Sequence, residues 1–232
     1  MAMQMKRSDI NRIIRESEAF MRSHGYILPP FARMSPGEMK ARKDELGHIT
    51  ASGLGWDITD FGLGDFDKTG LFLFTTRNGR LEDLKQGRGM LYAEKAMISR
   101  KDQLTPMHKH VFKAEDIINR GGGTLVLELF GDTDGHCDRE KGTTVACDGI
   151  LRNLGPGEKL RLAPGESVTL LPGDWHGFWA EGGDVFVAEV STVNDDKTDN
   201  YFEDPAVSRF SGIEEDEEPV HLLVSDYGTW LG

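Results

Sequence analysis

The chain has 232 residues and a mass of 25.8 kDa, enough for one large domain that buries its own core without disulfide staples. Acidic residues outnumber basic ones 39 to 27, and the resulting net charge of −12 argues against a nucleic-acid partner, which needs clustered Lys and Arg. No stretch nears the ~20 apolar residues of a membrane span. Residues 1–8 lack the apolar core of a secretory signal, and Cys137 and Cys147 form no CxxC, so a reduced, cytoplasmic protein is expected.

Taken in chain order, Ser8 is placed to cap a helix whose Ile10, Ile13, Ile14, Phe20 and Met21 share one stripe and whose stop is Gly25. A second helix is expected from Ser35, with Pro36 as its first residue and Glu38 completing a capping box, ending near Leu46 or Gly47. Both are amphipathic, so residues 1–55 read as a helical arm over a sheet or a second subunit, and residues 56–232 as the main domain. The apolar run 71–76 reads as a strand ended by an Asn78-Gly79 hairpin turn. Further strands are expected at 91–100, 104–110, 124–130, 158–162, 167–171, 177–180 and 184–193. The 28 glycines punctuate these runs, among them Gly121-Gly122-Gly123, and the pattern predicts a mainly β sandwich or barrel. Beyond Val193 the chain is acidic and irregular, and the run 214–218 reads as solvated surface.

The chemistry concentrates on three histidines. His108 and His110 alternate on a strand and so share a face. Glu115 stands at an odd offset, so a turn around 112–114 must restart the chain to bring it back to that face. Gly173-Asp174-Trp175-His176 offers a third imidazole at a strand–turn junction. Three imidazoles and a carboxylate suit a divalent transition metal (Mn, Fe, Co, Ni or Zn) and are too nitrogen-rich for Ca or Mg. Four protein ligands leave two octahedral positions for a bidentate substrate.

These residues resemble the two motifs of the cupin superfamily. The first is His108-Lys109-His110, four residues, Glu115, six residues, Gly122. The second is Gly165, five residues, Leu171-Pro172-Gly173, two residues, His176. Leu171 stands where proline is usual, Ala180 where asparagine is usual, and Asp102 where a glycine precedes the first motif. These departures touch turns, not ligands. The resemblance implies a cupin-type antiparallel β-barrel (jelly roll) with the metal inside. A narrower likeness, to the D-lyxose isomerase family, is carried by Trp56-Asp57-Ile58-Thr59-Asp60-Phe61-Gly62-Leu63-Gly64, by Lys113 to Gly123, by Glu189 to Asp196, and by the tail through Thr198-Asp199-Asn200, Arg209-Phe210 and Ile213-Glu214-Glu215-Asp216. That likeness implies a cytoplasmic homodimer acting on a free sugar, with Mn2+ (or Co2+, Fe2+, Ni2+ or Zn2+) on His108, His110, Glu115 and His176.

Aldose–ketose isomerisation needs polarisation of the carbonyl and a tuned acid and base. Lys113, two residues before Glu115, is the first candidate; beside a divalent cation its ammonium would be pushed toward the neutral form, although a turn lysine can also be plain surface. For the second group, Glu189 shares a face with Val187 and Ser191, and that face is either buried and functional or wet. Its rivals are the tail carboxylates Asp199, Glu203, Asp204, Glu214 and Glu215, with Glu214 carried forward as a catalytic candidate. Arg120, Asp199, Arg209 and Trp175 are candidates for sugar contacts, Trp175 also fitting core packing. The expected reaction interconverts D-lyxose and D-xylulose, and D-mannose and D-fructose. An Fe(II)-dependent cupin dioxygenase and a non-catalytic sugar-binding cupin use the same ligands and stay open at this point, as does a hydride shift. No glycine loop leads into a helix to cradle phosphate, so the sugar is expected to be unphosphorylated.

Overall fold

The computed structural model describes residues 4–195, 198–208, 210 and 212–232. Among them no helix is long and apolar enough to cross a membrane. A short strand, β1 (Met5–Lys6), leads into helix α1 (Arg7–Ser23), which buries Ile10, Ile13, Ile14 and Met21 along one stripe. Its N-cap is Lys6, not Ser8, because the Ser8 hydroxyl turns outward to donate to Asp216 at 2.7 Å. It stops as expected at Gly25, which adopts φ +78°; the N–H groups of Gly25 and Tyr26 close on Arg22 and Met21 carbonyls in a Schellman pattern. Helix α2 (Pro36–Ala41) carries the Ser35/Glu38 capping box but ends early. Its only buried residue is Met39, and the charged stretch after it has no apolar face to dock, so a 3-10 turn and helix α3 (Gly47–Ala51) follow instead.

The strands then run β2 (Gly55–Thr59), β3 (Leu71–Arg77), helix α4 (Leu81–Lys85), β4 (Tyr92–Ser99), β5 (Thr105–Lys109), β6 (Glu115–Thr133), β7 (His136–Asp138), β8 (Thr143–Cys147) and β9 (Ile150–Leu154). They continue as β10 (Lys159–Leu162), β11 (Ser167–Leu170), β12 (Trp175–Thr192), β13 (Tyr201–Phe202) and β14 (Ile213–Glu214), with helix α5 (Tyr227–Trp230) last. Asn78-Gly79 is not a hairpin turn. Neither residue has the positive φ a type I′ turn requires, and the Asn78 side chain instead joins the Ser52 and Asn194 main chains. The two-residue hairpins are Asp134-Gly135 and Asp148-Gly149, both pairs at positive φ, linking β6 to β7 and β8 to β9.

Two long, bent strands make the barrel. The N-terminal half of β6 and the C-terminal half of β12 belong to a sheet ordered β2-β3-β4-β12-β6-β11-β8-β9; their other halves pair with β10 and β5. The bend falls at the glycines. Gly122 has φ +97°, and a Cβ there would strike the Asp184 carbonyl, so only glycine lets the two strands cross this corner. The separate strands expected at 124–130, 177–180 and 184–193 are thus parts of two continuous ones. All the pairings within this sheet are antiparallel, as a cupin-type jelly roll requires.

The apolar run of β3 is buried on both faces. Leu71 and Leu73 point into the barrel with Met97, Leu127 and Val187. Phe72 and Phe74 point outward, where α1 covers them together with Trp56, Ile98 and Phe186. Each such side chain contributes about 1.5–3 kcal/mol by burial. The run 214–218 is not merely solvated surface. Glu215 and Asp226 grip the fully buried Arg7, and Asp216 and Glu217 accept from Ser8 and Asn11, so the tail is fastened to α1.

Candidate active site

Register assembles the site. His108 on β5 lies directly opposite His176 on β12, and their ring centroids are 4.1 Å apart. His110 follows one residue after β5 ends, on the same face as His108. A turn at 111–114 then restarts the chain, and Glu115 opens β6 between β11 and β12. All four side chains are buried, and the three histidine ligand atoms lie within 4.8 Å of one another. Oε1 of Glu115 stands 3.3 Å from Nε2 of His110 and 3.3 Å from Nε2 of His176.

The imidazole orientations follow from their other nitrogens. Nδ1 of His108 donates to the Pro106 carbonyl at 2.8 Å, that of His176 to Asp174 at 3.0 Å, and that of His110 to Asp199 at 2.7 Å. A carbonyl only accepts, so each Nδ1 carries a proton, and each ring is held with its Nε2 turned inward. Burial first, and the neighbouring His176 and His110 second, push His108 well below the ordinary histidine value. Burial alone would raise the Glu115 carboxyl. The Lys113 charge, with contributions from His110 and His176, overrides it and holds the group well below the usual carboxylate range. Among the described residues, Nε2 of His110 and Oε1 of Glu115 are buried without a hydrogen-bond partner. An imidazole nitrogen and a carboxylate oxygen facing each other at 3.3 Å, both buried, fit a cation between them. That spacing is the edge expected of a coordination polyhedron with bonds of about 2.0–2.3 Å.

The second oxygen of Glu115 faces a different partner. Nζ of Lys113 lies 2.6 Å from Oε2 of Glu115 and 3.1 Å from Oε1 of Glu189, and all three residues are buried. Glu189 also accepts from the Ser191 hydroxyl at 2.9 Å. Its face of β12 is therefore the inner one. Lys95 stands directly across from it on β4, with Nζ 3.5 Å from Oε2 of Glu189 and 2.8 Å from Oδ1 of Asn194. Lys95 shares the inward face of β4 with Ala93, Met97 and Ser99, and a lysine among such residues carries the same sequence signal as Glu189, although it was not among the expected site residues. The three histidines, Glu115, Lys113, Glu189 and Lys95 line one cavity of about 810 Å³, walled elsewhere by Phe61, Phe178, Phe202 and Phe210.

Other expected contacts lie elsewhere. Trp175 neighbours His176 in sequence and so points to the opposite face, where its Nε1 donates to Asp132 and its ring receives the Lys109 ammonium. Arg120 is exposed on β6 and does not line the cavity. Glu214 is exposed on β14, which pairs with β1 outside the barrel. Glu203 pairs with Arg139 and Glu215 with Arg7. Asp199 reaches the site, but through the main chain of residues 111–113 and not through the cavity. Arg209 lies outside the described residues.

The family model described as D-lyxose isomerase matches residues 5–227. The D-lyxose/D-mannose isomerase of Serratia proteamaculans is 46% identical over 226 residues, covering 96% of this chain and 98% of that protein. The protein of the same name from Escherichia coli O157:H7 is 44% identical over 229 residues, with the same two coverages of 96% and 98%. Among solved structures, Acinetobacter sp. DL28 L-ribose isomerase in complex with L-ribose is similar at a TM-score of 0.63 and 13% identity, covering 92% of this chain and 99% of that one. Cellulomonas parahominis L-ribose isomerase with no ligand gives 0.59 at 15% identity, covering 92% and 100%. At these identities the two structures speak to the shared barrel alone.

Proposed function

The chain belongs to the D-lyxose isomerase family and is an aldose–ketose isomerase, and from that premise we propose that it interconverts D-lyxose with D-xylulose and D-mannose with D-fructose, using a divalent cation on His108, His110, Glu115 and His176. The observation that carries the proposal is the pairing, in one cavity, of inward acceptors lacking a donor with the buried Lys113–Glu189 contact. The mixed nitrogen and oxygen donor set suits a first-row metal, and Mn2+ is the occupant we propose. When bound, it supplies Lewis-acid polarisation of the sugar carbonyl.

The chain's own residues would handle the protons. An aldose becomes a ketose when a proton leaves C2 and one returns to C1, with the carbonyl moving the other way and no net change in redox state. Glu189 is the proposed base at carbon. Lys113, hydrogen-bonded to Oε1 of Glu189, is the proposed donor and acceptor at the sugar oxygens. Lys95 holds the other Glu189 oxygen and so fixes the direction in which the carboxylate presents. Both cavity lysines are engaged by carboxylates and Asn194, an arrangement that favours an unphosphorylated sugar. A cytoplasmic homodimer is the assembly we propose, on the strength of the family.

The test is an anaerobic assay of Mn2+-loaded protein on D-lyxose and D-mannose in D2O. Ketose forms without O2 and carries solvent deuterium at C1, and His176→Ala abolishes turnover. If no aldopentose or aldohexose yields ketose, the substrate reading fails. Ketose without deuterium would leave the isomerase intact but remove Glu189 as base, in favour of a hydride shift.

A further inference from the structure

The three imidazoles are not held alike. His108 and His176 each donate Nδ1–H to a carbonyl two residues earlier on their own segment, Pro106 and Asp174. Those anchors come with the local backbone. His110 donates to the carbonyl of Asp199, 89 residues further along the chain. The Asp199 side chain, in turn, is fixed by three successive main-chain N–H groups. Oδ1 accepts from Val111 at 2.7 Å and Phe112 at 3.0 Å, and Oδ2 accepts from Lys113 at 2.8 Å. Successive N–H groups converging on one carboxylate form an anion nest, and Asp199, only 5% exposed, fills it.

We propose that Asp199 is the positioning residue of the site: its carboxylate staples the turn between the two halves of the ligand motif, and its carbonyl thereby sets the tautomer and aim of His110. His110 is then the conditional ligand, in place only when the C-terminal segment is docked. The next residues tie the same segment to the site. Tyr201 and Phe202 pair with Lys109 and His108 on β5, and Asn200 and Phe202 line the cavity. The segment that walls the sugar site thus also completes the metal motif, so cation affinity and cavity closure are coupled through one residue. Outer-shell partners of this kind typically change metal affinity 10–100-fold when removed. The inference rests on the reading that His108, His110, Glu115 and His176 hold a cation.

The experiment has two arms. Calorimetry measures the Mn2+ Kd of wild type, Asp199→Ala and Asp199→Asn; 15N-detected histidine ring spectra of the metal-stripped proteins report each tautomer. Asp199→Ala is expected to weaken Mn2+ binding 10–100-fold and to move His110 alone out of the Nδ1–H form, with His108 and His176 unchanged. Asp199→Asn keeps the shape and part of the nest, and is expected to fall between Ala and wild type, which keeps the test open should Asp199→Ala fold poorly. An unchanged Kd in both variants overturns the inference, as does a loss of order at all three rings together. A wild-type protein that does not bind Mn2+ sinks the cation reading instead, while the ring spectra still decide whether Asp199 orients His110.

Discussion

Single residues at this site are sorted by strand parity. His176 and Phe178 face the cavity, whereas Trp175, one position away, packs outside. The histidine and Glu115 set was legible in the sequence because its spacing, with one turn inserted, encodes a shared face. Glu189 was legible only as an alternative, since a carboxylate in an alternating strand can face either way until its partner strands are known. Lys95 and Lys113 settle that face by sandwiching it. The main-chain contacts of Asp199 were not legible at all, because main-chain N–H groups leave no signature in residue identity. Glu189→Gln keeps the size of the side chain and an acceptor for Lys113 but removes the basic oxygen. It is expected to lower kcat by 10²–10⁴-fold, the usual share of a general base, with KM and the Mn2+ Kd changed less than about threefold. Stopped assays with calorimetry on the same preparation check this. A kcat within tenfold of wild type would show that carbon is deprotonated elsewhere.

At the scale of elements, local signals succeeded where the chain closes its own contacts and failed where distant partners intervene. The Ser35/Glu38 box and the Gly25 stop are local and were readable. Asn78-Gly79 has the composition of a turn, but its side chain is recruited by Ser52 and Asn194, whereas the Asp-Gly pairs that do turn join β6 to the three-residue β7 and the short β8 to β9. The docking of α1 on the acidic tail is likewise a tertiary fact. Hydrogen bonds from Arg7 hold the Glu215 carboxyl below the usual carboxylate range, against the opposing effect of its partial burial. A group depressed in the folded state stabilises above its unfolded pKa, about 4.3 for Glu, and that contribution is lost as pH falls through the folded value. Glu215 is half-exposed, so the contact is worth about 1 kcal/mol at most. Glu215→Gln is therefore expected to lower Tm by about 1–4 °C at pH 7, with the gap to wild type narrowing as pH falls below the unfolded value of about 4.3. Thermal melts down through the acid range check it; a gap that does not narrow with falling pH would mean that packing, not charge, holds the tail.

The whole molecule divides its burial between two cores of opposite character. Outside the barrel, α1 seals an aromatic layer on the sheet, with Trp56, Phe72, Phe74 and Phe186 all nearly inaccessible. Inside, one end is filled by Leu125, Leu127, Leu160 and Val168, while the other is given over to three imidazoles, Lys95, Lys113, Glu115 and Glu189 around the cavity. Charges taken out of water cost several kcal/mol each unless paired, and here Lys113 and Lys95 pair with Glu115 and Glu189. What that pairing leaves unmatched is the set of acceptors facing one another across Glu115 Oε1. A cation there would remove the mismatch only in the folded state, because the unfolded chain scatters ligands that are up to 68 residues apart, from 108 to 176. Binding to the folded form alone stabilises by RT ln(1 + [L]/Kd), about 2.7 kcal/mol at a hundredfold excess over Kd. For a chain of this size each kcal/mol moves Tm by about 2–4 °C, so saturating Mn2+ is expected to raise Tm by about 5–10 °C over chelator-treated protein. His108→Ala should abolish most of that rise. Melts of both proteins with and without Mn2+ separate the possibilities: an equal shift in the variant would place the bound ion somewhere other than the barrel interior, and no shift in wild type would mean that the acceptors are balanced by the protein's own charges.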